Sequence, residues 1–313
     1  MAPADLKSFS NLLLEVLFPI FAFSNFRVYS LDMLGKWYMA CVGSVVIMII
    51  GALLGWLGAF LLRLRPPYSK ILVLSTTFAN CGALPYVLLP PIVANWKRVS
   101  ERPEDALVEG YAVISLFAIV WTIALFFVGR PYALSMRPKE DLEVASQATR
   151  TPCLRRVDSV VWSALLGILV GCLAPVRDFL SERAQGPLRF VGSYSYNLGQ
   201  SAVPLSTMIL GGSLYTGARA QLSASEEPEE RESGQLVRLA VSACVIKLLL
   251  MPAITIPLLL LALQAGALAS DQPMLFMVLM IQTAMPSAQT TLALLVAAGL
   301  QKQAGKMSAS RCI

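Results

Sequence analysis

The stretch FANCGALPYVLLPPIV, Phe78 to Val93, is apolar enough for a lipid bilayer, yet it contains Asn80, Gly82 and three prolines, Pro85, Pro90 and Pro91. A proline inside a helix removes a backbone donor and clashes with the preceding turn. Glycine permits backbone conformations that a helix does not use. Lipid cannot satisfy the N–H and C=O groups that a break sets free. The stretch therefore predicts a membrane helix broken near Gly82 and Pro85, with the break facing protein, water or a ligand.

The rest of the chain makes a membrane setting necessary. Of 313 residues, 56% are hydrophobic and 14% charged, and the mean hydropathy is +0.66. Soluble domains carry about 25% charged residues. No ten-residue alternation suggests a barrel, so the expected fold class is an all-α integral membrane protein. The six cysteines are scattered without a CxxC pair, and histidine is absent. That composition removes Ser-His-Asp triads and His-based zinc sites, and no phosphate-binding glycine loop is present. Neither a cofactor nor an enzymatic activity is expected. The net charge of +6 is spread through links between apolar segments, which argues for topology and against nucleic acid.

Eight spans are predicted, each needing about 20 apolar residues. They run Phe9–Tyr29, Tyr38–Leu62, Ile71–Val93, Leu107–Val128, Ser159–Leu180, Leu188–Tyr215, Leu236–Leu263 and Pro273–Leu300. Two links are long: a polar one, Arg130 to Asp158, and the acidic QLSASEEPEERESG, Gln221 to Gly234, whose composition predicts disorder. The links on the side of the N-terminus hold sixteen Lys and Arg and those opposite hold eight. That bias places the N-terminal side in the cytoplasm. The organisation is a first repeat of four spans over 1–129, a cytoplasmic loop over 130–158, a second repeat over 159–300 and a polar tail over 301–313.

The two halves echo each other. Pro19 interrupts the first span and Pro204 the sixth; two spans later come Pro85 and, in IQTAMPSAQTTLALLV, Pro286. The third span runs away from the N-terminal side and the eighth runs back toward it, so corresponding segments are inverted. Inverted repeats with paired broken helices are the signature of secondary transporters that bind substrate where the breaks meet. Helix N-termini at such a break carry partial positive charge and free N–H donors, a seat for a carboxylate.

The side chains expected at that seat are Asn80, Gln282, Ser287 and Gln289, with Gly82, Pro85 and Pro286 as the break-makers. Each polar residue has an alternative as interhelical glue or a partner for freed backbone. Two charges fall within spans, Glu15 and Lys247. Intramembrane charges are functional hypotheses by default, and Lys247 is counted among the substrate-binding residues; Glu15 lies near enough to an end to reach the interface. Gly211 and Gly212 read as close helix packing, and Tyr194 and Tyr196 as interfacial anchors.

Four segments carry a family resemblance: NLLLEVLFPIFAFSNF (Asn11–Phe26), PYSKILVLSTTFANCGALPYVLLPPIV (Pro67–Val93), LRFVGSYSYNLGQSAVPLSTMILGGSLYTG (Leu188–Gly217) and MIQTAMPSAQTTLALLV (Met280–Val296). In this order, over nearly the whole chain, they resemble the auxin efflux carrier family, in particular its PIN-LIKES branch. The resemblance implies ten spans in two inverted five-span repeats, with the fourth and ninth as crossovers. Those two would be the third and eighth here, so a span at each end of the family pattern is expected to be missing. The family's GN-GNLP crossover reads ANCGALP here, with Cys81 and Ala83 as departures. By the same resemblance the chain is expected to carry an auxin-like carboxylate such as indole-3-acetic acid by alternating access across the endoplasmic reticulum membrane, with the plasma membrane as the alternative. A Na⁺- or H⁺-coupled anion symporter and a non-transporting scaffold stay open. The expected partners are the small organic anion and the lipid membrane, and a homodimer is left open.

Overall fold

A computed structural model describes residues 3–27, 29–81, 83–96, 103–136, 159–180, 186–202, 204–209, 211–212, 215, 230–266, 268 and 272–297. Its first span is one run of helix, α1 Pro3–Leu12, a π-turn Leu13–Leu17 and α2 Phe18–Phe26. A short α3, Leu31–Lys36, capped by the Ser30 hydroxyl on the Met33 N–H, leads to α4, Tyr38–Leu61. The third span is split into α5, Tyr68–Thr77, and α6, Ala83–Asn95. The fourth is α7 Pro103–Ala124, a π-turn Leu125–Gly129 and α8 Arg130–Leu134.

Described in the second half are α9 Ser159–Cys172, α10 Ala174–Phe179 and α11 Arg189–Gln200. The seventh span joins α12 Glu230–Val245 to α13 Met251–Gln264 through a π-turn, Ile246–Leu250. The eighth is split into α14, Pro273–Thr283, and α15, Gln289–Ala297.

Among the described residues, four helices are long and apolar enough to cross a bilayer: Ser8–Phe26, Tyr38–Leu61, Asp105–Leu134 and Val237–Gln264. The 24 residues of α4 reach about 36 Å, beyond the ~30 Å of hydrocarbon. Its inner face is a stripe of Ala40, Ser44, Ile47, Met48, Gly51, Gly55 and Ala59, at helical spacing. The opposite face exposes Val42, Val46, Ile49, Leu53, Trp56 and Phe60. In water that face would be polar; an apolar outer face is what lipid requires.

The sequence halves interleave. From the first half, α2 packs on α9 and α11; this is one bundle. The other gathers α4, α5, α6 and α7 with α12, α13 and α14. The seam between them runs along α7, which meets both α2 and α9, and along α1, which meets α15.

Several boundaries differ from expectation. The fourth span continues through Leu134 as one helical run in which the π-turn Leu125–Gly129 directly precedes Arg130 and Pro131, so the polar link begins later than Arg130. Glu230 to Gly234, expected in the acidic insert, form the first turns of α12; the rest of that insert and residues 137–158 lie outside the described residues. Among the described residues nothing stands within 4 Å of where a Gly211 Cβ would be, whereas Gly51 and Gly55 seat α4 on α5.

Candidate functional site

The helix of the third span stops at Thr77, and Phe78 turns extended, with φ −102° and ψ 97°. The eighth span stops at Thr283 and restarts at Gln289. The two gaps lie against each other. The Asn80 N–H donates to the Pro286 carbonyl at 2.7 Å, and the Ala288 N–H donates to the Phe78 carbonyl at 3.0 Å. Ala79 and Ser287 face each other between these bonds as an isolated antiparallel bridge. Each break supplies partners for backbone groups the other sets free, which is the satisfaction a bilayer demands.

A side chain adds a third link. Gln282, fully buried in the last turns of α14, donates from Nε2 to the Cys81 carbonyl at 3.0 Å. Its Oε1 is buried without a partner among the described residues, as is the Thr291 hydroxyl in the first turn of α15. From the crossing, α6 and α15 start outward and α5 and α14 end, so two positive and two negative helix ends meet at one depth. The Phe78 ring anchors this centre on the fourth span, edge-on to Trp121 at 6.0 Å and beside Gly129.

The expected residues fall as follows. Asn80 and Pro286 meet through backbone groups, and Ser287 sits in the bridge. The Asn80 side chain is half-buried, with no hydrogen bond among the described residues. Gln282 is at the crossing. Gln289 is the first residue of α15; its side chain and all of Gly82 lie outside the described residues. Pro85 is buried but stands third in α6, where a missing N–H costs no helix bond, so it opens the second half-helix instead of lying within the gap.

Lys247 is placed elsewhere. It is buried in the π-turn of the seventh span, whose Ile246 reaches Gly58 of α4, and no described contact joins it to the crossing. Nor does a described hydrogen bond or ion pair engage its ammonium. A charge at the centre of a membrane helix costs about 2.5–3.5 kcal/mol on insertion scales. Lys247→Met should therefore raise the Tm of purified protein, by roughly 2 kcal/mol of stability. A fall in Tm would mean that the ammonium has a stabilising partner.

Sequence reasoning missed the groups that tie the crossing, the carbonyls of Phe78, Cys81 and Pro286 and the N–H of Ala288. They are main-chain atoms, invisible to a reading of side chains. It also missed Tyr29, Tyr86, Tyr111 and Ser115, which gather beside the crossing. The Tyr86 hydroxyl bonds Ser115, its ring stacks on Tyr111 at 5.3 Å, and Tyr29 is buried close by. The available signal was the i, i+4 spacing of Tyr111 and Ser115 and the place of Tyr86 next to Pro85.

A family model described as membrane transport protein matches residues 1–304. The chain belongs to the membrane transport protein family. Within it, curated relatives from Arabidopsis thaliana are similar to this transporter-family chain. Protein PIN-LIKES 5 is 26% identical over 91% of this chain and 80% of its own length. Protein PIN-LIKES 7 is 25% identical over the same shares. Protein PIN-LIKES 3 is 23% identical over 59% of this chain and 56% of its own length. The paired broken helices and the lipid-facing α4 are thus features of a membrane transport protein, as the resemblance implied.

Proposed function

We propose that this membrane transport protein carries a small organic anion, an auxin-like carboxylate such as indole-3-acetate, by alternating access across an intracellular membrane. The observation that supports the reading best is the backbone pairing of the two broken spans, Asn80 to Pro286 and Ala288 to Phe78. It brings the starts of α6 and α15 to one depth, where their N–H groups favour a carboxylate. Asn80 has its main chain committed to the crossing and its side-chain amide uncommitted among the described residues, so the amide is available to a ligand. The endoplasmic reticulum is the membrane proposed, on the likeness to PIN-LIKES proteins.

The test is flux of labelled indole-3-acetate into proteoliposomes holding the purified chain. Saturable uptake in the parent, with Asn80→Ala folded and its uptake reduced about tenfold, supports the site; one good hydrogen bond to a charged group is worth about that factor. No saturable uptake by the parent removes the substrate, and parental uptake by Asn80→Ala removes the residue. Dependence of uptake on a Na⁺ or pH gradient would replace the uncoupled carrier with a symporter.

A further inference from the structure

Among the described residues, two π-turns border the seam between the bundles. Such turns interrupt a helix by one inserted residue and frequently mark functional positions. The turn Leu13–Leu17 carries Glu15, and the turn Leu125–Gly129 ends immediately before Arg130. Arg130 Nη2 donates to Glu15 Oε1. That ion pair ties the first span, whose α2 belongs to the bundle with α9 and α11, to the end of the fourth span, which belongs to the other bundle.

Phe78 of the crossing packs on Trp121 and beside Gly129 in the fourth span, and Gly129 directly precedes Arg130. The ion pair thus closes the seam on the N-terminal side of the crossing.

We propose that the Glu15–Arg130 pair is the gate of this transporter on the N-terminal side of the membrane. The assignment rests on the alternating-access reading. A carrier of that kind must part the seam on one side of its site while holding it shut on the other. The pair crosses the seam on the N-terminal side only, so breaking it favours the state open to that side, by as much as the pair is worth and no more. Glu15 is 54% exposed and Arg130 23%, so the pair is not locked inside the protein, which suits a contact that opens in every cycle.

Cys81, at the crossing and 4% exposed, is a native reporter of opening. A membrane-impermeant maleimide is applied from either side to the full chain in sealed vesicles, and Cys81 labelling is read on its own peptide by mass spectrometry. Glu15→Gln and Arg130→Gln should each raise labelling from the N-terminal side about two- to fivefold and leave or lower it from the opposite side. The double exchange Glu15→Arg with Arg130→Glu should return labelling to the parental rate. Equal changes from both sides, no change, or an exchange that fails to restore the parental rate would overturn the assignment. If one single variant does not fold, its partner variant and the exchange carry the same decision. Labelling needs no substrate, so sided gating without anion flux would sink the proposed cargo and keep the gate.

Discussion

Gly51→Val will leave the protein misfolded or strongly destabilised, with anion uptake lost. The cause is the approach of α4 to α5. A Cβ on Gly51 would fall on the Thr76 carbonyl oxygen, with the Thr76 carbonyl carbon at 3.1 Å and Thr77 Cα at 3.2 Å. These are backbone atoms, so no side-chain rotation relieves the overlap. One turn on, a Cβ on Gly55 would fall on the Thr76 hydroxyl and come within 2.9 Å of Val73 Cα. Small residues four apart are how membrane helices bring their backbones together. Pushing methyl groups into so tight a contact costs about 3 kcal/mol. The displacement does not stay local, since Thr77 is the last residue of α5 and the crossing begins at Phe78. Thermal unfolding of the purified variant in detergent measures the effect, with Gly35→Val as a control, because nothing stands within 4 Å of a Cβ there. A parental Tm for Gly51→Val would mean that α4 and α5 are farther apart than described.

The same helix pair shows which features of the fold were legible in the sequence. Uninterrupted apolar runs announce α4 and α7, because a bilayer imposes length and hydropathy on every spanning segment whatever its neighbours are. Breaks in the third and eighth spans were also legible, since proline and glycine act on the local backbone. Register was not. The two prolines of the breaks, Pro85 and Pro286, look equivalent in sequence, but the bridge pairs Ala79 with Ser287. Pro286 therefore lies inside its gap, lending its carbonyl to Asn80, whereas Pro85 lies beyond its gap, in the first turn of α6. Proline tells where a helix is weakened; which residues face each other across two breaks depends on tertiary packing.

Charges were legible as exceptions and illegible as pairs. Glu15 and Lys247 stand out in apolar runs, but nothing near either in sequence names a partner. Glu15 finds Arg130, 115 residues away, at the end of a helix that hydropathy alone stops short of. Lys247 is drawn away from the crossing because its π-turn packs beside α4, at the level of Gly58. Glycine packing is legible by spacing: Gly51 and Gly55, four apart, fall on one helix face.

Gln282→Leu should be the most damaging side-chain change at the crossing. The Gln282 amide is fully buried and its Nε2 donates to the Cys81 carbonyl. The carbonyl only accepts, so the network fixes the NH2 group on that side of the amide. Leucine has a similar shape and volume, so packing is largely kept and the loss falls on the hydrogen bond. The Cys81 carbonyl would then be a buried acceptor in a region without bulk water, at a cost of about 1–3 kcal/mol. That cost lands on the crossing, since Cys81 adjoins Asn80, whose N–H holds the Pro286 carbonyl. If it destabilises the transport-competent arrangement, uptake falls by about five- to one-hundredfold, at a factor of ten per 1.4 kcal/mol. Ala288→Pro tests the shared origin of the effect, because it removes the N–H that bonds the Phe78 carbonyl and leaves Gln282 in place. Residues in one network do not add independently, so the double variant should lose less than the sum of the two single losses. Strict additivity, or parental uptake and Tm for Gln282→Leu, would show that the two breaks are held together without this side chain.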